Sequence, residues 1–167
     1  ISLTNDVSGL LTIAGNVTAG GDVNISNASP LTVSADVSGS TIALTASDTA
    51  AAGDDMTISA VSITSTGDLT LNVGDDLSIA GGASLSAGTN NITLNLDGSN
   101  ADAGTTSVLA GAFTAGVVTV DGGEEDDNID ASGITGTGIT LNGNGGDDTL
   151  AGTNLTDTIS GGTGNDD

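Results

Sequence analysis

The chain has 167 residues, 22 of them acidic, and no Lys, Arg or His, for a formal charge of −22. No salt bridge can form between its side chains, so each carboxylate must be solvated, hydrogen-bonded or bound to a cation. Nucleic acid is excluded as a partner and anionic lipid disfavoured, because both are gripped through Lys and Arg.

Hydrophobic residues, mostly Val, Ile, Leu and Ala, make up 36%, with one Phe and no Trp or Tyr. That is too rich in β-branched residues for a disordered acidic chain. The shortage of aromatics predicts a thin core of stacked small aliphatics. There is no Cys to form a disulfide, and no apolar run approaches the ~18 residues of a membrane-spanning helix.

In chain order, Ile1-Ser2-Leu3 reads as the tail of a coil. One phrase then recurs: an apolar residue, a small-residue corner, a second apolar residue, a short turn, and an apolar-x-apolar strand. Copies begin at Ile13, Val33, Ile58, Ile79, Leu109, Ile129 and Leu150, spaced by 20, 25, 21, 30, 20 and 21 residues. Superposing them yields three apolar columns. The first holds Ile13, Val33, Ile58, Ile79, Leu109, Ile129 and Leu150. The second holds Val17, Val37, Ile63, Leu85, Phe113, Ile134 and Leu155. The third holds Ile25, Leu44, Leu71, Leu94, Val120, Leu141 and Ile159.

Alternation with period two, as in Ile92-Thr-Leu94-Asn-Leu96, predicts strands. Short strands recurring in phase predict a parallel β-solenoid in which each coil stacks its aliphatics on the next. An antiparallel sandwich would explain the alternation but not the in-phase columns. The crossover rule for parallel strands predicts a right-handed coil.

Acidic pairs stand just before the first column at Asp54-Asp55, Asp75-Asp76, Asp126-Asp127 and Asp147-Asp148. Asp55 and Asp76 are 21 residues apart, as are Asp127 and Asp148. Carboxylates stacked at strand spacing repel. Without Lys or Arg, only protonation, outward splaying or a cation relieves them. The pairs at 54–55 and 75–76 lack a Gly-x-Gly setting and are expected to be solvated turns.

The last segment differs. Gly143–Ala151 reads GNGGDDTLA, Gly152–Ser160 reads GTNLTDTIS, and Gly161–Asp167 reads GGTGNDD. These resemble the glycine-rich nonapeptide of RTX (hemolysin-type) calcium-binding repeats, G-G-x-G-x-D-x-U-x with U a large aliphatic. Asp148, Asp157 and Asp166 stand at the Asp position, and Leu150 and Ile159 at the aliphatic one. Asn144 replaces a glycine in the first copy, and the second has no glycine after Gly152. Gly122–Asp130 fits as an earlier copy with Asp127 at the Asp position, one 21-residue coil before Gly143–Ala151.

Nine residues make half a coil, so copies eighteen apart share a side, and Asp148 and Asp166 can clamp one ion between coils. Asp127 belongs to the same side. The resemblance implies Ca²⁺ held by these carboxylates and by turn carbonyls around Asn144, Gly146, Gly162 and Gly164, with Asp157 on the opposite side. Ca²⁺ takes six to eight oxygen ligands, which such turns can supply.

The expected fold is therefore a right-handed parallel β-helix of about seven coils passing into an RTX-type calcium β-roll. Residues 1–120 would be solenoid repeats and 121–167 the acidic, calcium-binding coils continuous with them. Phrases such as GNVTAGGDVNIS and GDLTLNVGDDLSIAGG are similar to the repeat regions of giant bacterial surface proteins, filamentous-haemagglutinin-like adhesins and RTX-bearing S-layer proteins. That resemblance implies extracellular, cell-surface display. The expected role is an S-layer or filament-like scaffold, or else the stalk or binding module of a giant adhesin. The expected partners are calcium ions and further copies or continuations of the same solenoid, both ends of the chain reading as open. Catalysis is not expected, because no His or Lys is present to activate the abundant Ser and Thr hydroxyls.

Overall fold

The computed structural model describes residues 1–28, 30–47, 53–97 and 104–167. Among these there is no helix, and the strands pair in parallel. The chain winds into a β-solenoid of about seven turns. Its first face is an eight-strand sheet stacked in chain order: Ser2–Asn5, Val23–Asn27, Ile42–Ala46, Leu69–Val73, Asn91–Leu96, Val117–Asp121, Thr140–Gly145 and Thr158–Thr163. Leu69-Thr-Leu71-Asn-Val73 shows why: three aliphatics turn into the core while Thr70 and Asn72 stay at the surface.

On this face the third apolar column is realised in full. Leu3, Ile25, Leu44, Leu71, Leu94, Val120, Leu141 and Ile159 are successive ladder partners. The sheet runs without a break through Val117–Asp121, across the expected boundary at 120.

A second face stacks Leu11–Ile13, Leu31–Val33, Met56–Ile58 and Leu77–Ile79. A third stacks Val17–Thr18, Val37–Gly39, Ser62–Ser65 and Ser84–Ser86. The two merge in one long strand, Thr106–Thr114, whose first half pairs with Leu77–Ile79 and whose second half pairs with Ser84–Ser86. Asn128–Thr135 and then Thr149–Ala151 continue the stack.

Here two expected columns are corrected. Ile129 lies opposite Ser107 rather than Leu109, and Ile134 opposite Gly111 rather than Phe113. The register slips between Val108 and Ala110, where the later strand carries one extra residue. Ser107 occupies an inward position that a search for apolar residues passes over. Buried at 1% exposure, its hydroxyl accepts the Leu77 N–H at 2.9 Å and shares a hydrogen bond with the Thr105 hydroxyl at 2.6 Å. Satisfied in this way, a serine costs little inside a core. Leu155, expected in the second column, is 49% exposed.

Candidate cation-binding aspartate column

With no cationic side chain, the backbone amides answer most of the carboxylates, and they do so in two directions. One set of aspartates reaches forward to the next coil. Asp22 accepts the Thr41 N–H at 3.2 Å, Asp36 the Ser62 N–H at 2.8 Å and Asp68 the Asn91 N–H at 3.0 Å. Asp76 accepts Thr106 N–H at 2.7 Å, Asp126 accepts Asp147 N–H and Asp147 accepts Asn165 N–H, both at 2.8 Å. All of these bonds lie at the exposed surface.

The other set reaches back to the preceding coil and is more deeply placed. Asp127 accepts Thr105 N–H at 2.8 Å, Asp148 accepts Asp127 N–H at 2.9 Å, and Asp166 accepts Asp148 N–H at 3.2 Å. These bonds chain Asp127, Asp148 and Asp166 into one column at the entry to the second face, as the spacing predicted. Asp157 also reaches back, to Ile139 N–H at 2.9 Å, but at the entry to the first face. It is thereby separated from the other three.

The local turns that hold these carboxylates repeat. Asp127 also accepts the N–H of Gly123, and Asp157 that of Thr153, each four residues earlier. Gly122, Gly143, Gly152 and Gly161 each lie five residues before Asp127, Asp148, Asp157 and Asp166. A Cβ on any of them would press against that carboxylate. The four residues expected to present carbonyls all have left-handed backbones: Asn144 at φ 81°, Gly146 at 99°, Gly162 at 112° and Gly164 at 146°. Asn144 and Gly162 are ladder partners in adjacent coils. A Cβ on Gly162 would overlap the Asn144 carbonyl oxygen, and one on Gly164 the Gly146 carbonyl oxygen. The turns therefore stack backbone on backbone, which only glycine permits at the upper position.

Burial and charge separate the members. Asp127 and Asp148 are 2% and 1% exposed, whereas Asp166 is exposed and Asp157 half-buried. Burial raises the Asp127 carboxyl above its ordinary value, and the neighbouring Asp148 charge adds to this against the pull of the Gly123 and Thr105 amides. Burial likewise raises Asp148, with Asp166, Asp126 and Asp147 contributing repulsion. For Asp157 burial pushes upward too, but the bonds from Ile139 and Thr153 outweigh it and its carboxyl lies below the usual range. One oxygen of Asp148, Oδ2, is buried without a hydrogen-bond partner.

The donor set here is purely oxygen, which suits a hard cation such as Ca²⁺ and not a transition metal. Among the described residues no group of three acidic side chains is placed to hold a metal by itself. A cation would therefore draw on turn carbonyls as well as on Asp148. An open hollow of about 260 Å³, lined in part by Asn95, Asp97, Asp121, Glu124 and Asn144, adjoins the same coils.

Sequence reasoning missed one backward-reaching aspartate. Asp75, expected to be solvated, is 8% exposed, and Asp54 is 5% exposed. Only their pair partners, Asp55 and Asp76, lie nearer the surface, Asp76 fully so. The signal was present as Asp-x-aliphatic: Asp54-x-Met56 and Asp75-x-Leu77 match Asp127-x-Ile129 and Asp148-x-Leu150. Strand alternation then places the aspartate on the same side as the inward aliphatic. No family model matches this chain, nor does any curated protein or any solved structure.

Proposed function

We propose that the chain is a calcium-stabilised extracellular scaffold of a bacterial cell surface, of the S-layer or filament type. The observation that carries this reading is the outer surface of the first face. Across its eight strands the outward positions are mostly short and polar, Ala43 and the half-exposed Val117 excepted, with Thr70, Thr93, Thr119, Thr140 and Thr158 in one column and Asn72, Asn95, Asp121 and Asn142 in the next. Asp121 is the one carboxylate among those outward positions, in a chain that carries 22 acids. The side chains are tied along the stack: Asn72 donates to Thr45 at 3.2 Å, Asn95 to Asn72 at 2.8 Å and Asn142 to Asp121 at 2.6 Å. Copies of so negative a rod repel one another least across strand surfaces that carry so few carboxylates, the described acids lying almost all in the turns. A rigid face with its side chains already ordered also loses little entropy on packing.

Calcium enters through the aspartate column. Asp127, Asp148 and Asp166, with carbonyls at Asn144, Gly146, Gly162 and Gly164, would hold the ion, and Asp157 would serve a turn on the other side. A bound cation supplies charge neutralisation to buried carboxylates that otherwise resist ionisation. Because the apo turns repel themselves, binding energy there is folding energy.

The reading is tested by electron microscopy and small-angle scattering of the protein with calcium and after chelation. Ordered lateral arrays that dissolve on chelation support it. A rod that stays monomeric at all calcium concentrations would favour the adhesin-stalk alternative, and a rod indifferent to calcium would overturn the calcium part.

A further inference from the structure

The backward-reaching aspartates are not confined to the C-terminal turns. Asp75 accepts the N–H groups of both Gly53 and Asp54 through Oδ2, the latter at 2.7 Å. This is the same reach, from one coil to the amides of the coil before, that Asp127 and Asp148 make. The register aligns them: Leu77 pairs with Met56, so Asp75 stacks over Asp54 just as Asp148 stacks over Asp127.

Asp75 and Asp148 share one further property. Each is more than nine-tenths buried, and each has one carboxylate oxygen, Asp75 Oδ1 and Asp148 Oδ2, buried without a hydrogen-bond partner. Leaving a buried charged oxygen unanswered is costly, and no side chain in this molecule can supply a cation. The hydrogen-bond partners of Asp75 are backbone groups and one hydroxyl. Its own carbonyl accepts the Thr105 hydroxyl at 2.9 Å, and the Asp54 carbonyl accepts its N–H at 3.3 Å. Asp54 itself is buried directly below.

We propose that the stacked turns at residues 53–54 and 74–75 form a second site for a hard divalent cation, centred on the buried Asp75 carboxylate. Asp54 supplies the neighbouring charge, and turn carbonyls complete the oxygen shell. The site lies outside the glycine-rich C-terminal repeats and stands whether or not those repeats bind calcium.

The experiment is calorimetric calcium titration of the wild type, Asp75→Asn, Asp148→Asn and Asp76→Asn, with hydrogen exchange on the wild type. Asp75→Asn keeps an oxygen for the Gly53 and Asp54 amides and should lose one bound calcium ion. Asp76→Asn, whose carboxylate is exposed and faces the next coil, should keep the wild-type number. Asp148→Asn should leave the Asp75 ion in place, so a failure of the C-terminal site would not be mistaken for failure of this one. In the wild type, calcium should slow amide exchange in Met56–Ile58 and Leu77–Ile79 at least tenfold. An unchanged stoichiometry in a folded Asp75→Asn protein would overturn the proposal. So would exchange in those strands that is indifferent to calcium.

Discussion

The coils before Asp121 and those after it are built from the same ladder but held by different forces. Before it, a single turn brings five large apolar side chains to full burial, as with Met56, Ile58, Ile63, Leu69 and Leu71. After it, the large buried aliphatics are Ile129, Ile134, Ile139 and Leu141, while Leu150 is half-buried and Leu155 and Ile159 about half exposed. The coil also shortens: Leu71 to Leu94 spans 23 residues, Leu141 to Ile159 only 18. Eighteen residues leave less room for inward strands and more of the chain in turns. Where the apolar column thins, carboxylate-to-amide bonds and tightly stacked glycines take over. A polar solenoid of this kind would depend on charge neutralisation in every turn, an apolar one only where an aspartate is buried, as at Asp75.

Four measurements would break or sharpen that contrast. The largest effect should come from Leu71→Ala. Leu71 is fully buried with a leucine above and below it, so a cavity should cost about 2–5 kcal/mol in a denaturant melt. The loss should be the same with and without calcium. If chelation enlarges it, the N-terminal coils are not autonomous.

Chelation itself should come next. A cation at about 100 times its Kd stabilises by about 2.7 kcal/mol. Its removal should therefore erase strand signal from residues 121–167, seen as fast amide exchange there, while the first face before Val117 keeps its protection. Equal loss in both regions would end the comparison.

Gly164→Ala should cost about 1–3 kcal/mol, because it forces a side chain into a left-handed backbone and against the Gly146 carbonyl. The expected phenotype is weakened calcium affinity with the N-terminal melt unchanged. An Ala variant that binds calcium as tightly as the wild type would show that the stacked turn is not the ligand cradle.

The smallest effect is one of pH, read without calcium. Burial holds Asp127 and Asp148 above the 3.8 of an ordinary aspartate. The folded C-terminal coils therefore bind more protons than the unfolded chain just above that value. Their stability should fall as pH rises from about 4 through the folded-state pKa values. Asp130 and Asp157, both shifted downward, pull the other way from more exposed positions and will blunt the slope. Calcium should flatten or reverse the decline, since it favours the ionised form. A C-terminal unit that grows steadily more stable from pH 4 to 7 without calcium would show that these carboxylates are not strained by burial.

The sequence by itself determined the parallel solenoid, because period-two strands repeating in phase can bury their aliphatics only by stacking. The column from Leu3 to Ile159 followed because every member is apolar and the strands around it contain no irregularity. The left-handed turns at Gly146, Gly162 and Gly164 were also legible, since glycine spacing states directly where the backbone must bend. Tertiary structure alone decided the register at Ser107 and the extra residue opposite Val108–Ala110. A hydroxyl satisfied by the preceding coil's amide can stand in an apolar column, and hydropathy cannot show that. The Asp-x-aliphatic spacing marks which aspartate of each pair turns inward, but only the stack supplies the amide that it meets. Each of the four pairs leads directly into a strand, and the alternation there sets one member inward and the other toward water. In the 54–55 and 75–76 pairs the first goes in, and in the 126–127 and 147–148 pairs the second does. The choice is fixed by the phase of the following inward residue and by whether an amide waits in the coil below, which is a property of the stack rather than of any single coil.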